Sequence, residues 1–143
     1  MRYLDIDVTT RISRIGLGTW QFGAREWGYG EGYARQAAGE IVRRALDLGV
    51  TLFDTAEIYG LGRSERILGE ALGPRRASVF LATKLFPVLS LAPIVEQRAV
   101  ASAGRLSTRL LDLYQVHWPN PAVSDRTIMR GMSRLQRVGP AGS

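Results

Sequence analysis

Four side chains of this 143-residue chain, Asp54, Tyr59, Lys84 and His117, are of the types that move protons, and two have no duplicate. Lys84 is the one lysine beside eighteen arginines, and His117 is the one histidine. A tyrosine hydroxyl titrates near pH 10 when unperturbed, so at neutral pH it holds its proton and is a weak acid. An ammonium nearby stabilises the phenolate left behind. Lysine suits that task because its charge is a compact point donor, whereas a guanidinium is broad and planar. An aspartate beside the lysine keeps it charged and aimed, and a neutral histidine orients a carbonyl and stabilises an oxyanion. The chemistry such a set suits is proton donation to a carbonyl oxygen as negative charge develops on it. Singly, each residue has a plainer reading: Asp54 caps a turn, Lys84 is its ion-pair partner, His117 is a satisfied core histidine, and Tyr59 is a loop aromatic.

The elements that position them read as alternating strands and helices. Tyr3 to Asp7 and Arg11 to Ile15 predict a hairpin, leading into a strand over Ser13 to Gly18. From Ala34 to Leu48 the residues Ala38, Ile41, Val42, Ala45 and Leu48 recur on one helical face, and Gly49 ends the helix. Val50 to Phe53 is a short buried-type strand, and Ser64 is placed as the N-cap of a helix carrying Ile67, Leu68, Ala71 and Leu72. The pattern repeats with a strand over Ser78 to Thr83, a helix from Pro93 to Leu106, a strand over Leu111 to Val116 and a helix from Asp125 to Arg137. Four strand-helix units in succession predict an α/β fold with a parallel sheet and right-handed crossovers. Two closures compete: an open doubly wound sheet suits this length, whereas an eight-unit barrel normally takes about 250 residues. In either, functional groups gather at the carboxyl ends of the strands, where Gly18-Thr19-Trp20, Asp54, Lys84 and His117-Trp118 all fall.

Composition narrows the field. With 45% hydrophobic and 22% charged residues the chain can bury a core. The absence of cysteine excludes disulfides, cysteine-based zinc sites and thiol catalysis, and a single histidine excludes a histidine-rich metal site. The net charge of +6 comes from scattered arginines, with nothing longer than the pairs Arg43-Arg44 and Arg75-Arg76, so no nucleic-acid partner is expected. No apolar run approaches the roughly 18 residues of a membrane span, and a cytoplasmic location with no membrane partner is expected.

The stretches GLGTWQFG (16–23), GVTLFDTAEIYGLGRSE (49–65), FLATK (80–84) and DLYQVHWP (112–119) resemble the aldo-keto reductase family, in its bacterial and potassium-channel β-subunit-like branch. The resemblance runs in order along the chain to about Gly139. It implies a TIM (β/α)8 barrel and NADPH-dependent reduction of an aldehyde or ketone, or the reverse oxidation of an alcohol, on a small-molecule carbonyl substrate. The family's catalytic tetrad falls on Asp54, Tyr59, Lys84 and His117. The resemblance also implies cofactor binding by Gly18, Thr19, Trp20 and Asp54, and a substrate pocket walled by Trp118, with Trp27 and Tyr29 further wall candidates in the first long loop. GLGTWQFG is no Rossmann fingerprint, since Gln21 stands where the third glycine of G-x-G-x-x-G belongs.

After Gly139 the family continues into a fifth strand and three further units that carry most cofactor contacts, whereas this chain stops at Ser143. The expectation is therefore the hairpin and about four βα units, residues 1–143 forming the N-terminal half of a barrel with the C-terminal half absent. A cut barrel exposes sheet edges and apolar side chains, which predicts self-association through the open edges. Three functional readings stay open: a carbonyl reductase, a catalytically silent truncated remnant, and a non-enzymatic regulatory or binding module resembling channel β-subunits.

Overall fold

The computed structural model describes residues 1–24, 32–88 and 91–138. Strands β1 (Tyr3–Asp5) and β2 (Arg11–Ser13) pair antiparallel, with Tyr3 opposite Ser13. The predicted hairpin strands are shortened because Asp7 turns the chain early. Its Oδ1 accepts hydrogen bonds from the amides of Thr9 and Thr10 at 2.7 Å and from the Thr9 hydroxyl at 2.9 Å. Those bonds hold its carboxyl down at about 2. The hairpin docks on the amino ends of the sheet strands: the Ser13 hydroxyl accepts from the Thr51 amide at 2.9 Å, and the Tyr3 hydroxyl donates to the Gly49 carbonyl at 3.1 Å.

The second sheet holds β3 (Gly16–Gly18), β4 (Leu52–Asp54), β5 (Phe80–Leu85) and β6 (Leu113–Val116), all parallel and in that spatial order. The connecting helices are α1 (Trp20–Gly23), α2 (Gly32–Asp47), α3 (Arg63–Leu72) and α4 (Ala92–Arg105), and α5 (Asp125–Val138) follows β6. Strand order without reversal is the progression of a barrel; a doubly wound sheet reverses at its switch point. The predicted hairpin and four βα units are thus present, and among the described residues β6 is an edge.

Several boundaries move for physical reasons. The strand predicted from Leu111 starts two residues later, because the Asp112 carboxylate, in place of a backbone carbonyl, takes the Leu81 amide at 2.9 Å. The strand predicted from Ser78 starts at Phe80, since Gly73–Ser78 forms a 3₁₀ segment after α3. Ser64 is not an N-cap: α3 begins at Arg63 behind Gly62, whose φ of 82° is left-handed, and the Ser64 side chain points inward. On α2 the residues Ala38, Val42 and Ala45 are buried as predicted, but Ile41 and Leu48 are exposed, so the apolar stripe is narrower than its periodicity suggests. Gly49, at φ 82°, ends that helix as expected.

The core lies between sheet and helices in two clusters. Phe53 and Leu81 meet Val42, Leu68, Leu72 and Leu106, while Leu85 meets Val95, Ala99, Ile128 and Leu135. On the opposite face Leu113 and Gln115 are exposed. Behind the sheet, Glu65 is completely buried, accepting from Arg105 Nε at 2.5 Å and from the Thr83 hydroxyl at 2.7 Å. Truncating one member of a buried pair strands the other, so Arg105→Met is expected to destabilise the fold by about 3–5 kcal/mol. Arg11→Met, which removes the exposed 3.6 Å pair with Asp5, should cost under about 1 kcal/mol. Urea unfolding midpoints of the two variants check the contrast.

Candidate active site

The predicted functional residues meet at the carboxyl ends of the strands because the register puts them there. Gly18 pairs with Asp54, Asp54 with Ala82, and Lys84 with Gln115. Since side chains alternate across a strand, Lys84 stands on the same face as Ala82 and one pleat above Asp54. Its ammonium lies 2.5 Å from Asp54 Oδ1, 2.8 Å from the Thr55 carbonyl oxygen and 3.5 Å from Tyr59 Oη. Three N–H donors therefore face three oxygens, all supplied by β4 and the loop behind it. The plainer reading of Lys84 as the ion-pair partner of Asp54 is correct, and the same ammonium also faces the phenol.

His117 follows β6, its amide donating to the Leu85 carbonyl at 3.0 Å. Its ring packs edge-on against Tyr59, centroids 5.4 Å apart, and lies 4.4 Å from the Trp118 ring. It is no satisfied core histidine: Nδ1 is shut from solvent and has no hydrogen-bond partner among the described residues. Desolvation, with a smaller push from the Lys84 charge, holds its pKa below the usual 6.5 against a weaker opposite pull from Asp54. Desolvation and the Lys84 charge thus both favour the neutral ring. Tyr59, His117 and Trp118 open onto a cleft of about 820 Å³ that Trp20, Leu61 and Arg63 also line. Lys84 and Asp54 sit beneath Tyr59 rather than in the cleft wall.

The remaining predicted site residues divide. Trp20 and Trp118 are about half exposed at the cleft. A Cβ added to Gly18 would meet nothing within 4 Å, so the surface over the end of β3 is clear. Thr19 is fully buried, and its hydroxyl is engaged with the Asp54 carbonyl at 3.1 Å and the Ser64 hydroxyl at 2.9 Å. Trp27 and Tyr29 lie outside the described residues.

Three positioning features were not legible in the sequence. One is a buried cluster of hydroxyls: Ser64 Oγ donates to the Thr19 carbonyl at 2.6 Å and lies 3.0 Å from Thr55 Oγ1, tying β3, β4 and the start of α3 together. Another is Glu57, which accepts from the Phe86 amide while its own amide donates to the Lys84 carbonyl at 3.3 Å. It staples the Tyr59 loop to the end of β5. Burial raises its carboxyl pKa, with the Phe86 amide and Arg98 pulling the other way. The third is a backbone contact: a Cβ on Gly23 would stand 2.6 Å from the Tyr59 carbonyl oxygen. The last glycine of GLGTWQFG thus lets α1 lie directly against the loop that carries Tyr59.

With this geometry in view, comparison with known proteins identifies the lineage. Residues 14–142 match the aldo/keto reductase family, and the chain belongs to that family. An uncharacterized oxidoreductase of Mycobacterium tuberculosis is 59% identical over 143 residues, and the aldo-keto reductase YhdN of Bacillus subtilis is 42% identical over 151. These alignments cover 100% and 97% of this chain but 44% of each relative. The chain thus spans less than half the length of these curated relatives. An aldo/keto reductase from Klebsiella pneumoniae, crystallised with NADP and acetate, superposes with a TM-score of 0.83 at 30% identity, over 92% of this chain and 44% of that one. Its fold relationship agrees with four parallel strands wound in barrel order. Among the described residues no helix is long and apolar enough to cross a membrane.

Because His117 is the single histidine, its ring protons report its titration without assignment by mutation. An NMR titration is expected to place the midpoint below 6.5. Lys84→Met should move it upward and Asp54→Asn further down, since the two charges act in opposite senses. A midpoint at or above 6.5 would contradict the desolvated position of the ring.

Proposed function

We propose that this chain carries the proton-donating half of a nicotinamide-dependent carbonyl oxidoreductase, reducing aldehydes or ketones to alcohols or running the reverse oxidation. One observation carries the reading: a single ammonium placed between an aspartate and the hydroxyl of a tyrosine that lines a cleft. Tyr59 is the proton donor to the carbonyl oxygen. Lys84 stands beside the phenolic oxygen and stabilises the negative charge left when the proton departs, and Asp54 keeps that ammonium paired and aimed. His117, held neutral, offers a ring N–H to the same carbonyl oxygen and orients it. Trp20 and Trp118 give the cleft apolar walls beside the reacting group.

NADPH is the cofactor this reading requires, and the Klebsiella relative crystallised with NADP supports it. When bound, it supplies the hydride. On this chain Gly18, over which the surface is clear, and the half-exposed Trp20 are residues that would hold it. Thr19, with its hydroxyl spent, would serve by holding Asp54 in place rather than by touching the cofactor. The residues described are further proposed to be the N-terminal half of a barrel, which agrees with the share of each relative that the chain covers.

Tyr59→Phe is expected to lower carbonyl reduction by at least about 10²–10⁴-fold while leaving cofactor affinity nearly unchanged. Following NADPH oxidation with 4-nitrobenzaldehyde, alongside NADPH fluorescence on binding, checks both halves. Loss of cofactor binding in the variant would contradict the acid role, and no NADPH binding by the native chain would favour the silent-remnant reading. A non-enzymatic module would bind NADPH and leave it unoxidised.

The open edge at β6 and the exposed Leu113 and Met129 beside it support self-association of the 143-residue chain. Light scattering on purified material should give a dimer or larger species. A monomer with cooperative unfolding would overturn that.

A further inference from the structure

Arg63 opens α3 four residues beyond Tyr59 and lines the same cleft as Tyr59, His117 and Trp118. Its Nη1 is shut off from solvent, yet no acceptor among the described residues reaches it. Other arginines with sheltered guanidinium groups each find partners, although Arg76 also leaves one nitrogen, Nε, unmatched. Arg76 bonds the Val79 and Leu110 carbonyls and Asp112, Arg98 bonds the Phe86 and Val88 carbonyls, and Arg105 bonds Glu65. Among the described residues no carboxylate stands within ion-pair distance of Arg63, whereas nine such pairs form elsewhere. A buried donor left unmade on a charged group is costly, so a position that keeps one is fitted to an acceptor that arrives from outside.

The surroundings say what kind of acceptor. No acidic side chain contributes to the cleft wall, and Arg63 is its one permanently charged group among the described residues. Trp20, Ile58, Leu61 and Trp118 make the rest of that wall largely apolar. Leu61 is held there at some conformational expense: it is 80% exposed and left-handed at φ 53°, between Gly60 at 58° and Gly62 at 82°. Carbonyl-directed groups at one point of the cleft, apolar walls, and an unpaired guanidinium at another point describe a bifunctional ligand.

We infer that the cleft takes carbonyl compounds bearing a carboxylate on an apolar body, with Arg63 holding the carboxylate while the carbonyl faces Tyr59 and His117. The carbonyl end of this assignment rests on the reductase reading; the carboxylate end rests on Arg63 itself. A planar guanidinium meets a carboxylate through two parallel N–H···O bonds, and apolar walls strengthen that pairing over the same pair in water.

Calorimetric binding of 4-carboxybenzaldehyde and 4-nitrobenzaldehyde to the full chain, with NADP+ present so that no turnover occurs, tests the assignment. The native chain should prefer the carboxylate by about tenfold or more. Arg63→Leu should abolish the preference without altering binding of the neutral aldehyde, and Arg63→Lys should retain part of it. Should Arg63→Leu fail to fold, added sodium chloride in the native chain serves instead, since it should erode the preference. Equal affinities in the native chain, binding of neither compound, a preference that survives Arg63→Leu or resists salt, or weakened NADP+ binding in Arg63→Leu with the preference intact would each overturn the inference. A carboxylate preference accompanied by no NADPH oxidation with either aldehyde would instead uphold the Arg63 site and retire the reductase reading.

Discussion

The arrangement at the strand ends depends on satisfying one ammonium. Lys84 is largely sheltered, with 17% of its side chain exposed, and a sheltered cation is tolerated only where its donors find oxygens. All three of its partners, Asp54 Oδ1, the Thr55 carbonyl and Tyr59 Oη, come from β4 and the loop that leaves it. That requirement ties the neighbouring strand to a fixed register and the loop to a fixed path. The buried hydroxyls of Thr19, Thr55 and Ser64 hold the strand ends, Glu57 fastens the loop to β5, and Gly23 lets α1 close against it. Each removes a freedom that would otherwise let Tyr59 drift from the ammonium.

Charge on the helix side of the sheet is organised differently. Glu57 and Glu65 face Arg98 and Arg105 across the packing between α3, α4 and the sheet. Glu57 belongs to both arrangements: its carboxylate faces the arginines while its main chain bonds Lys84. The site is thus braced from behind by ion pairs and opens in front onto a nearly uncharged cleft. Arg63 is the exception on that front face, which is why its unmatched guanidinium reads as a ligand contact rather than as part of the brace.

Much of the architecture was legible residue by residue. The helical stripe of Ala38, Val42 and Ala45, the stop at Gly49 and the proline in the first turn of α4 each specify local conformation, and each stands where periodicity placed it. The errors share one cause. Ser64 resembles an N-cap by type and position, but buried hydroxyl partners on other elements claim its side chain. Ile41 and Leu48 fit the apolar stripe, yet among the described residues no element packs over them closely enough to bury them. β6 starts later than its apolar run suggests because a side chain, Asp112, takes over a ladder bond.

By itself the sequence determined the order of strand-helix units, the chemical types at the strand ends, and, through the motifs around Asp54, Tyr59, Lys84 and His117, the lineage. These depend on local periodicity and residue identity, which a linear text carries. Only the tertiary structure decided that Lys84 reaches Tyr59 across 25 positions, that Gly23 and Gly60 touch, and that, among the described residues, His117 Nδ1 and the Arg63 guanidinium have no partner. Such facts arise from register and packing between distant segments. A distance of a few ångströms across a sheet is set by every strand and crossover that holds the two segments, and no local pattern encodes it.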